Sequence, residues 1–74
     1  MERARNVAVV LYNRVDTLDV TGPYDVFATS SNWGKDFSVY TVAEKLEPII
    51  TVSGLTIMPK YSFDNCPVPD ILIV

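Results

Sequence analysis

The chain has 74 residues, a net charge of −3, one cysteine and no histidine. That length holds one small domain at most, and a single thiol without imidazole excludes an internal disulfide and the usual zinc-ligand spacings. At 49% hydrophobic and 20% charged it is too apolar for disorder, and without a basic run it lacks the clustered Lys and Arg that phosphate neutralisation needs.

Nucleic-acid binding by this segment is therefore not expected. Arg3 and Arg5 are too few to change that and read as solubilising charges beside the first strand. No apolar run approaches the length of a membrane span. The charged start, Met1 to Arg5, leads into a region broken by Asn13, Arg14 and Asp16, with no small-residue cleavage site. Cytoplasmic residence is the default expectation, and a lone cysteine fits a reducing compartment.

Val7 to Tyr12 is a continuous apolar run rich in β-branched residues, the pattern of a strand buried on both faces of a parallel sheet. Asn13 to Val20 reads as the connection, with Asp19 in the loop leading into a helix. Thr21-Gly22-Pro23 reads as the helix start, because Thr or Gly can cap and Pro suits the first turn. Asp25 then falls in the first turn, where it complements the helix dipole. Tyr24, Phe27 and Ala28 share a face at i, i+3 and i+4 spacing. The helix is expected to end near Ser30 to Asn32, with Trp33-Gly34-Lys35 as the connecting turn.

Phe37 to Ala43 predicts a second strand with one face better covered than the other. Glu44 to Glu47 is a charged loop. Ile49 to Val52 and Leu55 to Met58 flank Ser53-Gly54, the signature of a tight hairpin. Tyr61 to Pro69 is polar and Pro-rich and reads as a loop with one helical turn near Phe63. Ile71 to Val74 predicts the last strand. The order is β-α-β-hairpin-β, a parallel α/β sheet of partial flavodoxin-like form. No repeat or low-complexity segment interrupts it.

A parallel sheet needs cover on both faces, and only one convincing helix is offered. Ile71 to Val74 reads as a central, doubly covered strand, yet nothing after it supplies the cover. The expectation is an incomplete domain over 1–74, completed by further chain or by a second subunit pairing the exposed edges.

Several pieces resemble the ThiJ/PfpI superfamily. They are Val7 to Tyr12, then Leu18-Asp19-x-x-Gly22-Pro23-x-Asp25-x-Phe27, then Phe37 to Tyr40. Ser53-Gly54-Leu55-Thr-Ile57 resembles the family's hairpin, and Pro69-Asp70-Ile-Leu-Ile-Val74 the strand that runs into its Pro-Gly-Gly turn. The likeness covers essentially the whole chain. It implies the class I glutamine-amidotransferase-like fold, with this chain as the amino-terminal part of a larger three-layer sandwich. The subgroup most similar comprises the isonitrile hydratase-like proteins and the amidase-like domains of AraC-type transcription regulators. Asp19 matches the acidic residue that lies beside the reactive cysteine in the hydratase-like subgroup, and Gly22 matches the helix-start glycine near the same pocket. The nucleophilic cysteine is expected beyond Val74, so the segment alone is expected to be inactive. The complete form is expected to take a small molecule, to need no cofactor and to pair as a homodimer. The alternative is a ligand-sensing domain whose helix-turn-helix lies further along the chain.

On position alone, Asp19 is more simply an Asp that organises a loop through its own hydrogen bonds. The resemblance shifts the balance to a pocket acid, since a carboxyl group can both give and take a proton. Cys66, in Asp64-Asn65-Cys66-Pro67, has no histidine to activate it and does not match the family's nucleophile, so it reads as a packing residue. Gly22 and Gly54 belong to no nucleotide-binding pattern and read as backbone devices. Trp33 and Tyr40 read as cover for the sheet or a subunit contact. Glu44, Glu47, Asp64 and Asp70 form no metal spacing and read as solvated.

Overall fold

The computed structural model describes residues 4–30 and 36–74. Arg3 and the expected turn Trp33-Gly34-Lys35, with any role for Trp33, lie outside the described residues. Strand β1 spans Arg5–Val10, helix α1 Thr17–Thr29 and strand β2 Phe37–Ala43. Two short strands follow, β3 (Ile49–Ile50) and β4 (Thr56–Ile57), then β5 (Tyr61–Ser62) and β6 (Ile71–Ile73). The main sheet has the order β5-β2-β1-β6 with every pair parallel, while β3 and β4 form a separate antiparallel pair.

The apolar run of β1 occupies the middle because only a strand covered on both faces buries consecutive apolar residues. Val7, Ala8 and Val9 are almost completely buried. Alternation sends Val9 to one face, where Leu11, Val15, Val20, Ala43 and Ile49 join it. Ala8 goes to the other face, with Tyr40 and Val42 and the half-buried Tyr61 and Cys66. Tyr40 fulfils its expected covering role. Its ring meets Tyr61 edge-on at 5.3 Å and its hydroxyl donates to the Pro67 carbonyl at 2.7 Å. Helix α1 covers the Val9 face, and the segment after β5 covers part of the other.

Several expected boundaries move. β1 begins two residues earlier, because Arg5 pairs with Phe37 and donates to the Asp36 carbonyl, and Tyr12 lies half-exposed beyond its end. The helix starts at Thr17 rather than near Thr21. Asp16, extended at φ −69°, ψ 128°, accepts the Leu18 N–H and is the cap. Asp19 is thus in the first turn of α1, not in the loop before it, and Gly22 and Pro23 lie in the helix interior. Asp25 is two turns in, so the dipole argument made for it applies to Asp19 instead. The inward stripe is also different: Val20 is buried, with Thr17, Pro23 and Phe27 partly so, whereas Tyr24 and Ala28 are exposed. Phe27 meets Phe37 edge-on at 5.1 Å.

The hairpin loop has three residues, not two. The pairs Ile49–Ile57 and Ile50–Thr56 continue into Thr51, whose N–H reaches the Leu55 carbonyl, leaving Val52 to Gly54 as the loop. Gly54 takes φ +95°, the left-handed conformation such a loop requires at its last position. Within the stretch read as loop, Tyr61–Ser62 forms β5, pairing with Val42 and Ala43. Its few residues and adjacent prolines hid it. Near Phe63 there is a turn and no helix: the Asn65 side chain accepts the Ser62 N–H, and the Asn65 N–H donates to the Ser62 carbonyl.

The last strand sits at the edge of the described sheet rather than in its centre, with Leu72 57% exposed. It is pinned at its start by reciprocal bonds. The Asp70 N–H donates to the Asn6 carbonyl, and the Asn6 N–H donates to the Asp70 carboxylate at 2.7 Å. Asp70 is therefore a structural acceptor as well as a solvated charge.

Leu11, 2% exposed, and Val26, 60% exposed, give a direct check on this core. Leu11→Ala is expected to cost about 2–5 kcal/mol in denaturant unfolding, enough to unfold a marginal domain, while Val26→Ala stays within about 0.5 kcal/mol. Burial, with the neighbouring Cys66 and Asp70, raises the Tyr40 phenol above its ordinary pKa. The folded state thus favours the neutral phenol. Its contribution is complete below about pH 10 and is lost as pH rises through the raised value. Stability measured against pH is expected to fall above about 10, with Tyr40→Phe flattening that fall.

Candidate functional site

From β1 the chain passes through α1 to β2 and on to β5 on one side, then returns to β6 on the other side of β1. The strand order reverses between β1 and β6, and α/β sheets offer their crevice outside the carboxyl ends of the strands at such a point. The residues that follow β1 there are Leu11 to Asp16, then the first turn of α1.

That connection is held from outside. Arg14 takes φ +71°, a left-handed conformation uncommon for any residue other than glycine, and its N–H donates to the Ile50 carbonyl at 2.7 Å. The Ile50 N–H donates in turn to the Asn13 side chain at 3.1 Å. Val15 donates back to the Tyr12 carbonyl, and Val52 donates to the Val15 carbonyl at 3.0 Å. The β3–β4 hairpin thus clamps the segment between β1 and α1. This fixes where the helix begins.

Asp19 is the third residue of α1. Its N–H donates to the Asp16 carbonyl at 3.0 Å and its side chain is exposed. It faces the positive end of the helix dipole, on the element that leaves the crevice. Pro23 has no N–H, so the Asp19 carbonyl lacks the donor a helix would normally bring to it four residues on. Gly22 needs no unusual backbone angle, and a methyl group built on it meets nothing within 4 Å. It lines an open groove of about 750 Å³ between α1 and the hairpin, with Leu18 and Asp25 on one side and Leu55, Ile57 and Met58 on the other. Asp19 is not part of that lining. The two residues singled out from sequence therefore lie one turn apart on α1, with Gly22 on the groove and Asp19 off it.

Cys66 is in the cluster on the sheet face opposite α1, half-buried, with its thiol 3.8 Å from the Phe63 carbonyl. It is a packing residue with no geometric access to Asp19. Among the described residues no group of three or more His, Cys, Asp and Glu side chains could hold a metal ion, and no helix is long and apolar enough to cross a membrane.

Sequence reasoning missed a polar cluster at the helix start. Thr17, Thr51 and Ser53 bring three hydroxyls together, and Thr51 is 3% exposed, a buried polar residue in the core. The available signal was Thr51 itself, a hydroxyl ending an apolar strand.

Over 71 residues the chain is 37% identical to the isonitrile hydratase of Pseudomonas putida, a stretch that is 96% of this chain and 29% of that protein. It superposes on a crystal structure of a ThiJ/PfpI family protein from Pseudomonas syringae with a TM-score of 0.80 and 30% identity, covering 93% of this chain and 27% of that one. A DJ-1 superfamily protein from Agrobacterium tumefaciens gives a TM-score of 0.65 at 20% identity, covering 92% and 35%, a likeness of fold alone. The chain thus spans less than a third of the curated relative it matches. No protein-family model matches it.

The cap that starts α1 is open to test. Asp16→Ala is expected to lower unfolding stability by about 1 kcal/mol, with Asp16→Asn close to the parent. Equal stability of the alanine variant in a denaturant titration would show that the hairpin alone sets the helix start.

Proposed function

The chain belongs to the ThiJ/PfpI superfamily, and we propose that it is the amino-terminal part of an isonitrile hydratase-like protein. The observation that carries this reading is the 37% identity to an isonitrile hydratase over 71 residues, a stretch long enough that it necessarily includes Asp19. The position of Asp19 supports it. The carboxylate stands in the first turn of the helix that leaves the sheet's switch point, exposed and free to face chain contributed from elsewhere.

The reaction adds water to an isonitrile and gives an N-substituted formamide. A thiol supplied beyond this segment attacks the isonitrile carbon, forming a carbon–sulfur bond. Water then displaces the sulfur and regenerates the thiol. The water oxygen ends on carbon, one hydrogen on carbon and the other on nitrogen. Asp19 carries the proton between thiol and substrate, and Gly22 keeps the neighbouring helix surface open. A carboxylate without the thiol is half of this constellation, so the 74 residues alone are inactive. The exposed apolar side chains Leu18, Val26, Leu55 and Met58 support pairing of the complete protein as a homodimer.

The test is hydration of a simple alkyl isonitrile by the longer polypeptide. Asp19→Ala is expected to lower kcat by about 10²-fold or more, as loss of a proton-transfer group does. Hydration at the parent rate by that variant sinks the reading. A polypeptide that leaves isonitriles untouched and binds DNA through a downstream helix-turn-helix points to the ligand-sensing alternative.

A further inference from the structure

Thr17 is the first residue of α1, and its hydroxyl donates to the Thr51 hydroxyl at 2.8 Å. The Ser53 hydroxyl lies 2.6 Å from Thr17 and 3.3 Å from Thr51. Thr51 also accepts the Leu55 N–H at 3.0 Å. Each hydroxyl has one proton to give. With Thr17 donating to Thr51, the Thr51 proton is left for Ser53 and the Ser53 proton for Thr17. The three bonds close into a ring in which every hydroxyl donates once and accepts at least once. Bonds arranged head to tail in this way polarise and strengthen one another.

We infer that this ring positions Asp19, with Thr51 and Ser53 of the hairpin acting as positioning residues for the first turn of α1. The Asp19 side chain is exposed and makes no hydrogen bond among the described residues, so its location is that of the backbone beneath it. That backbone is fixed at Val15 by the Val52 N–H and at Thr17 by the ring, two attachments to one hairpin loop. The body of the helix holds the first turn less tightly, because Pro23 offers no N–H to the Asp19 carbonyl. A hydroxyl at 51 is required rather than any residue of that size. Valine would fill the same volume, take from the Leu55 N–H the acceptor it has in Thr51, and open the ring, leaving Thr17 bonded to Ser53 alone.

The catalytic arm of this inference rests on the reading of Asp19 given above, so the experiment separates the two. In the longer polypeptide, Thr51→Val is expected to speed hydrogen exchange at the Leu18 and Asp19 amides about tenfold, with Val7 to Val9 unchanged and Thr51→Ser close to the parent. Unchanged exchange at Leu18 and Asp19 overturns the ring's hold on the first turn. For isonitrile hydration, Thr51→Val is expected to lower kcat about tenfold at constant KM, with Thr51→Ser restoring it. Thr51→Val added to Asp19→Ala is expected to cost nothing further. Parental kcat in Thr51→Val, where Asp19→Ala is impaired, overturns the positioning role and leaves the role of Asp19 standing. Parental kcat in Asp19→Ala overturns that role and with it the catalytic arm, while the exchange result still decides whether the ring holds the turn. Should Thr51→Val fail to fold, Ser53→Ala, at an exposed position, removes two sides of the ring and is read the same way.

Discussion

One strand bears the rest of the structure. β1 is hydrogen-bonded along both edges, to β2 over six residues and to β6 over three, and is sealed on both faces. A strand in that position cannot slip by one residue without driving Val7 and Val9 to the opposite face. Its register therefore fixes where Leu11 emerges, which fixes the span the connection to α1 must cross. The hairpin clamp and the Asp16 cap then act on a segment already aimed by the sheet. The position of Asp19 is the last term of that series, set in turn by the register of β1, the hairpin's bonds to Asn13, Arg14 and Val15, and the Asp16 cap.

The sheet was legible because its signals are local and strong. A β-branched run with no alternation has few places to go other than a parallel sheet interior, and β1, β2 and β6 appear in the expected order, β1 shifted two residues toward the amino end and β6 at the edge of the described sheet. The helix start was misread because two plausible signals competed. Thr21-Gly22-Pro23 has the composition of a helix start, while Asp16 has only its identity. Asp16 prevails because the chain leaves β1 at Leu11 and the hairpin holds Val15, so Asp16 is the first residue free to cap. Gly22 and Pro23 are tolerated inside the helix at a local cost that the tertiary contacts of α1 offset. β5 escaped notice because two residues carry no period.

The candidate site divides in the same way. Asp19 and Gly22 were reached through resemblance, and composition alone favoured neither. The hydroxyl ring was invisible, since Thr17 lies 34 positions from Thr51 and each of the three hydroxyls is unremarkable by itself. Their meeting depends on the three-residue turn at Val52 to Gly54, where glycine in the left-handed conformation folds Ser53 back toward the helix. Polar networks of this kind emerge only once tertiary structure has assembled them.

The clamp between Asn6 and Asp70 joins residues 64 positions apart. β1, α1 and β2 need only short excursions to find one another, whereas β6 must close a loop nearly as long as the chain. Closure of that length is slow relative to local pairing. During synthesis, β1 is made first and stays open along one edge until Ile71 to Ile73 arrive. That interval is when an unpaired, β-branched edge is available to other chains. The sheet's most stable strand in the finished fold is thus its most exposed one during folding. The carboxylate of Asp70, by catching the Asn6 N–H, marks the moment the exposure ends.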